Sequence, residues 1–213
     1  MKPIYASQFP LIKPAEIDLQ AIESALAELL GPLGLQLDMK FIKRLRKRLW
    51  LLELPKRCIL LKEGAVPQGV FFMLSGSLLV GTGMNEGMQL NQILRKGDFV
   101  LPLKLFGGGK SRIEMRMAEH SRLLFMDAKQ YQRMLHKFPQ VVTLTHLWRD
   151  RQEEQASERK REFRILSTVQ RLHWLYKKWP DCFLVFSDEV IGAYLDLGRE
   201  TVCRNKGEVI RNG

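Results

Sequence analysis

Three long polar side chains near the C-terminal end of the sequence have the types and spacing needed to recognise base pairs. Arg204 follows Glu200 by four residues and Arg199 by five, so a helix through this segment would carry all three on one side. Arginine can donate two hydrogen bonds to guanine O6 and N7, and glutamate can accept one from cytosine N4. We therefore predict that these three side chains contact bases. The predicted DNA-binding set also includes Thr201, which can reach a phosphate or a thymine methyl group, and Lys206.

The residues around this set predict two short helices joined by a tight turn. Ser187 opens a helix that runs to Leu195, and a second helix begins at Arg199 after three turn residues. Val202 of the second helix is expected to face the core with Ile191 and Leu195. Such a pair forms a helix-turn-helix, the arrangement in which the second helix enters the DNA major groove.

The segment FSDEVIGAYLDLGRETVCR, residues 186–204, resembles the DNA-reading element of the Crp/Fnr family of bacterial transcription regulators. Its sharpest match is RETVCR, residues 199–204, and the tail looks most like the short Crp/Fnr-type regulators of Bacteroidetes. The resemblance implies a sequence-specific, homodimeric transcription regulator that binds double-stranded DNA, with RNA polymerase as a further partner. It also implies the family's order of a β-roll, a long helix and a helix-turn-helix.

Two amphipathic helices are expected before the β-roll. The first follows Pro14 and ends at Gly31. The second follows Asp38, an N-cap residue, and is predicted to carry Phe41, Leu45, Leu49 and Leu52 on one face. Its other face is basic and is interpreted as solvated, with phosphate binding as the less favoured alternative; this face comprises Lys40, Lys43, Arg44, Arg46, Lys47 and Arg48.

Short apolar runs separated by glycine predict many strands between Pro55 and Asp127. The predicted strands are Cys58 to Leu61, Val70 to Leu74, Leu78 to Val80, Leu90 to Leu94 and Leu123 to Phe125. Gly64, Gly76, Gly87 and Gly97 recur about every dozen residues, which is typical of the turns of a sandwich, barrel or jelly roll.

A long helix is predicted from Phe138 to about Phe163, with apolar positions only in its first half. Val141, Leu144 and Trp148 are interpreted as a dimer seam, although a core helix with a polar extension fits the pattern equally well. The predicted fold is α+β. It consists of a double-stranded β-helix (jelly-roll) sensor domain with N-terminal helices over residues 1–137, a dimerisation helix over 138–163, and a helix-turn-helix domain lacking a full wing over 164–213.

Some residues of the C-terminal segment depart from the family pattern. Asp196 stands where a glycine is usual, and Gly198 replaces the usual serine cap. Gly207 costs about 1 kcal/mol in a helix relative to alanine, which predicts a short or frayed recognition helix. The sequence stops at Gly213, so we expect no room for the β-hairpin wing of many family members. These departures leave open an alternative, a sensory or protein-interaction module whose degenerate helix-turn-helix no longer binds DNA specifically.

Four residues are candidates for an effector pocket: Gly97, Asp98, Ser111 and Arg112. In cyclic-nucleotide-responsive relatives a Gly-Glu pair holds the ribose and an Arg-Ser pair grips the cyclic phosphate. Here Asp98 is one methylene shorter, and Ser111 precedes Arg112. The favoured interpretation is therefore that Asp98 finishes a turn and Arg112 faces solvent. No cofactor is predicted, and binding of a cyclic nucleotide is the less favoured alternative.

Composition limits the remaining classes of function. The chain has 213 residues, a formal net charge of +11 and 46% hydrophobic residues, which describes a globular protein suited to a polyanionic partner. No apolar stretch approaches membrane-spanning length and no secretory signal is recognised, so we expect a cytoplasmic protein with no membrane partner.

Cys58, Cys182 and Cys203 do not have the spacing of metal ligands. Only His120 of the four histidines lies in the β-roll, and no catalytic arrangement is found, so we expect no enzymatic activity.

Overall fold

A computed structural model describes residues 5–105 and 107–212. The chain divides into two compact units. The first consists of the residues up to Leu79 together with Leu94–Gln152, and the second consists of Val80–Ile93 together with the residues from Glu153 onward. The predicted three-part division, with boundaries at 137/138 and 163/164, was drawn along the predicted helices instead, and it stays a prediction. Its outer limits, residues 1 and 213, lie outside the described residues.

Helices and strands together give a mixed α+β chain. The helices are α1 Glu16–Leu30, α2 Met39–Arg46, α3 Ala128–Lys137, α4 Pro139–Ile165, α5 Thr168–Lys178, α6 Cys182–Val185, α7 Asp188–Leu195 and α8 Arg199–Asn212. The strands are β1 Trp50–Leu54, β2 Ile59–Leu61, β3 Gly69–Ser75, β4 Ser77–Thr82, β5 Gln89–Arg95, β6 Phe99–Val100, β7 Glu114–Met117 and β8 Ser121–Asp127. Short 3-10 helices occupy Ala6–Gln8 and Gly31–Leu33.

The strands form two four-stranded sheets of a β-roll. One sheet has the order β1-β8-β3-β6 and the other β2-β7-β4-β5. In the first sheet every pairing is antiparallel, with Phe72 opposite both Leu124 and Phe99. All five predicted strands are present, and the four predicted turn glycines have positive φ angles of 81°, 86°, 66° and 90°. The predicted β-roll is confirmed.

The start of the first sheet corrects the predicted second helix. Asp38 caps α2 as expected, because its side chain accepts a hydrogen bond of 2.7 Å from the backbone N–H of Lys40. The helix ends at Arg46, however, and Leu52 lies in β1. Leu49 and Leu52 match a helical period, but all five residues of β1 are in antiparallel register with residues of β8. Pairing between segments distant in sequence therefore overrides the local pattern.

Helices α1, α2 and α3 and the first half of α4 pack against one face of the first sheet and form the core of the first unit with it. Ile22 and Leu26 of α1, and Phe41 and Leu45 of α2, pack in the same cluster as residues of β3 and β8. The guanidinium of Arg46 donates hydrogen bonds to Glu23 and Glu16, which ties α2 to α1. Arg48 Nε likewise donates a hydrogen bond of 2.6 Å to the Gln130 side chain, so two members of the predicted basic face are engaged in their own chain.

The residues predicted as a dimer seam lie in this core. Val141, Leu144 and Trp148 are only 4%, 6% and 6% exposed. Val141 and Leu144 belong to the core cluster, and Trp148 packs edge-to-face on Phe99 with ring centroids 5.7 Å apart. Side chains buried in their own chain have almost no surface left for a second copy, so the structure does not support this seam. The first half of α4 is a core helix, the alternative that the pattern left open.

No helix among the described residues is long and apolar enough to cross a membrane. Over the same part of the chain, no three His, Cys, Asp or Glu side chains converge in a way that could hold a metal ion.

Candidate nucleic-acid interface

The first helix of the candidate site, α7, begins where the sequence predicts. The Ser187 side chain accepts a hydrogen bond of 3.3 Å from the backbone N–H of Val190. Asp188 and Glu189 occupy the first turn, where negative charge is favoured by the helix dipole. Ile191 and Leu195 are fully buried, so the helix has one face fixed in the core of the second unit.

A tight turn joins α7 to α8. Asp196 adopts the left-handed conformation, with φ 55° and ψ 47°, which aspartate tolerates better than most residues. The backbone N–H of Leu197 then donates a hydrogen bond of 2.9 Å to the carbonyl of Gly192. A Cβ atom at Gly192 would lie 2.6 Å from the Leu197 carbonyl oxygen, so glycine is what allows the turn to lie this close to α7.

The second helix, α8, is longer than the sequence suggests. It begins at Arg199 as predicted but continues without a break to Asn212. Val202 and Val209, two turns apart on one face, are both fully buried. Their burial is worth more than the roughly 1 kcal/mol cost of Gly207 in a helix. The prediction of a short or frayed helix was therefore wrong.

The outward face of α8 carries the predicted base-contacting residues. Arg199, Glu200, Cys203 and Arg204 are all exposed. The Arg204 guanidinium lies 3.3 Å from a Glu200 carboxylate oxygen, and the two side chains are 79% and 86% exposed. An ion pair this exposed contributes little to stability. Both side chains can thus exchange it for other hydrogen bonds at small cost.

The other two predicted contacts are placed differently. Thr201 is half-buried, and its carbonyl accepts a hydrogen bond of 2.7 Å from the Asn205 side chain. The Lys206 ammonium donates to both carboxylate oxygens of Asp188 at 2.8 Å. The hydrogen bond to Asp188 raises the pKa of Lys206. Lys206 thus connects α8 to the first turn of α7, and a contact with DNA would require this bond to break.

The first pair of the candidate effector pocket forms a turn. Gly97 has a φ of 90°, and its N–H donates a hydrogen bond of 2.9 Å to the Met73 carbonyl. The Asp98 carboxylate accepts a hydrogen bond of 2.7 Å from the backbone N–H of Arg95. This is the geometry of an aspartate that closes its own turn.

The second pair is also locally engaged. Ser111 is buried; its hydroxyl donates to the Ile113 carbonyl at 2.8 Å and accepts from the Ile113 N–H at 3.2 Å. Arg112 is exposed. A polar groove of about 210 Å³ borders Gly97 and Asp98, and its other charged lining residues are Glu28, Lys96 and Arg151.

Sequence reasoning missed three residues that position the α7–α8 pair. Gly192 carries a detectable signal, because a glycine inside a helical pattern often marks a close backbone approach. Asp188 and its partner Lys206 are 18 residues apart, so neither residue type nor local spacing pairs them. Arg171 of α5 donates a hydrogen bond to the Leu195 carbonyl, 24 residues away. This contact also could not be predicted from local spacing.

The β-roll is similar to a known domain family. Residues 51–138 match the sequence model of the cyclic nucleotide-binding domain. This range runs from β1 to the end of α3. No curated protein sequence matches the chain.

Solved structures extend the likeness to most of the chain. The c-di-GMP-responsive global regulator CLP of Xanthomonas campestris superposes with a TM-score of 0.66 at 13% identity, covering 83% of this chain and 93% of that one. A Crp/Fnr-family regulator from Eubacterium rectale gives 0.66 at 16% identity, with coverage of 85% and 88%. One from Thermus thermophilus gives 0.61 at 15% identity, with 76% and 87%. The chain has the Crp/Fnr fold. The resemblance predicted from RETVCR is confirmed at the level of the fold, and these three neighbours are regulators.

Proposed function

We propose that this Crp/Fnr-fold chain is a homodimeric, sequence-specific DNA-binding transcription regulator. The α7–α8 pair acts as a helix-turn-helix, and α8 is the helix that enters the major groove. The observation that carries the proposal is the outward face of α8. There Arg199, Glu200 and Arg204 are exposed on a helix whose opposite face is fixed by two fully buried valines.

The chemistry of this face supports base recognition. Two arginines and one glutamate offer donors and acceptors to guanine and cytosine edges, and the weak Arg204–Glu200 pair frees both at small cost. In this proposal the base contacts come from α8 itself. The net charge of +11 supplies the sequence-independent attraction to phosphates.

The homodimer places two copies of α8 about 34 Å apart, one helical turn of DNA, so that the operator is an inverted repeat. Its contacts come from exposed positions of α4, because Val141, Leu144 and Trp148 face the core. Val142 is a large apolar residue of the same half that is exposed, at 41%. RNA polymerase is a further partner in this proposal.

Effector sensing belongs to the β-roll. The local hydrogen bonds of Asp98 and Ser111 favour a regulator that does not depend on a cyclic nucleotide. Isothermal titration with cyclic AMP and cyclic GMP tests this: the expected result is no binding, and micromolar binding lost in Arg112→Ala would contradict it.

The alternative, a sensory or protein-interaction module with a degenerate helix-turn-helix, is less favoured by the geometry of two of the residues that motivated it. Asp196 adopts the left-handed conformation that the turn needs, and Gly207 lies within a continuous helix. Selection from a randomised DNA pool at near-physiological salt distinguishes the two functions. Enrichment of one inverted repeat supports the regulator, whereas retention that is only salt-sensitive and independent of sequence supports the alternative.

A further inference from the structure

Arg171 bonds to two helix ends at once. Its Nη2 donates to the Phe163 carbonyl in the last turn of α4, and its Nη1 donates to the Leu195 carbonyl at the end of α7 at 3.1 Å. Its Nε donates to the Leu166 carbonyl between α4 and α5 at 3.2 Å. One guanidinium therefore connects the end of α4, the α4–α5 corner and the residue before the α7–α8 turn.

The acceptors explain why an arginine stands here. The last carbonyls of a helix have no partner within the helix and carry partial negative charge. A guanidinium has donors in a planar fork, so it can serve several such carbonyls in different directions, which a lysine ammonium cannot do as well. Arg171 also lies 5.3 Å from the ring centre of Phe163, whose side chain is buried.

A second contact joins the same two helices. The Arg159 guanidinium of α4 lies 4.5 Å from the ring centre of Tyr194 in α7. Tyr194 in turn packs on Trp179, with ring centroids 5.6 Å apart. The C-terminal turns of α4 are thus attached to α7 at two successive residues, Tyr194 by its ring and Leu195 by its carbonyl.

We propose that Arg171 is a positioning residue that latches the α7–α8 turn to the end of α4, so that these elements move as one body. The latch spans residues 166–167, the short break between α4 and α5. With the latch closed, the direction of α8 follows the direction of the C-terminal turns of α4 through Phe163 and Leu195. Two α4 helices paired in a dimer would then fix the spacing of the two recognition helices; this consequence rests on the proposed function.

The latch itself is tested without DNA, by amide hydrogen exchange of the full chain. In Arg171→Gln we expect exchange to be at least about tenfold faster in residues 163–168 and 192–198, with no change in β3 and β8. Arg171→Lys is expected to resemble Arg171→Gln, because an ammonium cannot reach all three carbonyls. Arg164→Gln is the matched control, since Arg164 is an exposed arginine in the last turn of α4. Unchanged exchange at both segments, or an increase spread evenly over the chain, would overturn the proposal.

The consequence for DNA is tested with half-site spacing. The wild type is expected to select one spacing of the inverted repeat, and Arg171→Gln to bind spacings one and two base pairs longer or shorter within about tenfold of the best one. The same sharp preference in both proteins would contradict the role of the latch in positioning. If the wild type selects no repeat, the proposed function fails, and the exchange measurement still decides whether the latch exists.

Discussion

The backbone of Leu197 lies directly against Gly192: the N–H of Leu197 donates a 2.9 Å hydrogen bond to the Gly192 carbonyl, and a Cβ atom at 192 would lie 2.6 Å from the Leu197 carbonyl oxygen. This contact sets how closely the turn before α8 approaches α7. Both partners of the close approach are main-chain atoms, so neither can move aside as a flexible side chain would. The orientation of the candidate recognition helix therefore depends on a residue without a side chain.

Gly192→Ala is expected to destabilise the protein. The added methyl group meets a backbone carbonyl, and overpacking of this kind costs about 1–3 kcal/mol. Gly207→Ala is the matched control, because it lies in α8 with nothing within 4 Å of its Cβ position. Gly207→Ala is expected to raise the free energy of unfolding by about 0.5–1 kcal/mol. Urea denaturation of both variants measures the difference, and equal effects of the same sign would refute the close approach.

The burial of Leu144 predicts a stability defect rather than a defect in assembly. Leu144→Ala leaves a cavity in the core and is expected to cost about 2–5 kcal/mol, with the sedimentation coefficient of the folded protein unchanged. Val142→Asp, two residues away on the exposed side of α4, is expected to cost less than about 0.5 kcal/mol and to shift a dimer towards monomer. The opposite pattern in these two variants would restore the seam predicted from the sequence.

Cys58 predicts a loss of stability at alkaline pH. Burial raises the pKa of its thiol from 9.0 to about 11, so the unfolded chain releases this proton at lower pH than the folded one. Its contribution to the free energy of unfolding is constant below pH 9 and falls between pH 9 and 11, by up to about 1.4 kcal/mol per pH unit. The pKa values of half-buried Tyr131 and of Lys206, which is paired with Asp188, are also raised. Both groups therefore add to the loss of stability at alkaline pH.

Comparison with Cys58→Ala isolates the part that the thiol contributes. The difference in unfolding free energy between wild type and variant should be flat from pH 7 to 9 and should change between pH 9 and 11. A difference that stays constant up to pH 11 would show that the thiol is not shielded from water.

Local features of the sequence were sufficient for most element boundaries. Asp38 and Ser187 cap helices as predicted, and the four turn glycines have positive φ. These features depend on the conformation of a few neighbouring residues, which the sequence shows directly. Pro139 likewise opens α4 as expected.

Features that depend on distant contacts could not be predicted in this way. Trp50–Leu54 became a strand because β8 pairs with it, although Leu49 and Leu52 fit a helical period. Val141 and Leu144 are apolar at seam spacing, but only the fold shows that α1, α2 and the first sheet cover them. Within the candidate site, the outward residues of α8 followed from helical spacing. The groups that orient α8 are paired across 18 and 24 residues, Asp188 with Lys206 and Arg171 with Leu195.

The most direct measurement of sequence-specific recognition by α8 is the affinity of Arg204→Ala for the repeat that the wild type selects. Loss of one bidentate base contact is expected to weaken binding by about 1–3 kcal/mol, roughly 5- to 150-fold per half-site, with weak, salt-sensitive binding to unrelated DNA retained. Arg211→Ala, an exposed arginine in the last turn of α8, is the matched control and should keep the wild-type preference for the repeat. Wild-type affinity of Arg204→Ala for the repeat would contradict recognition through this face.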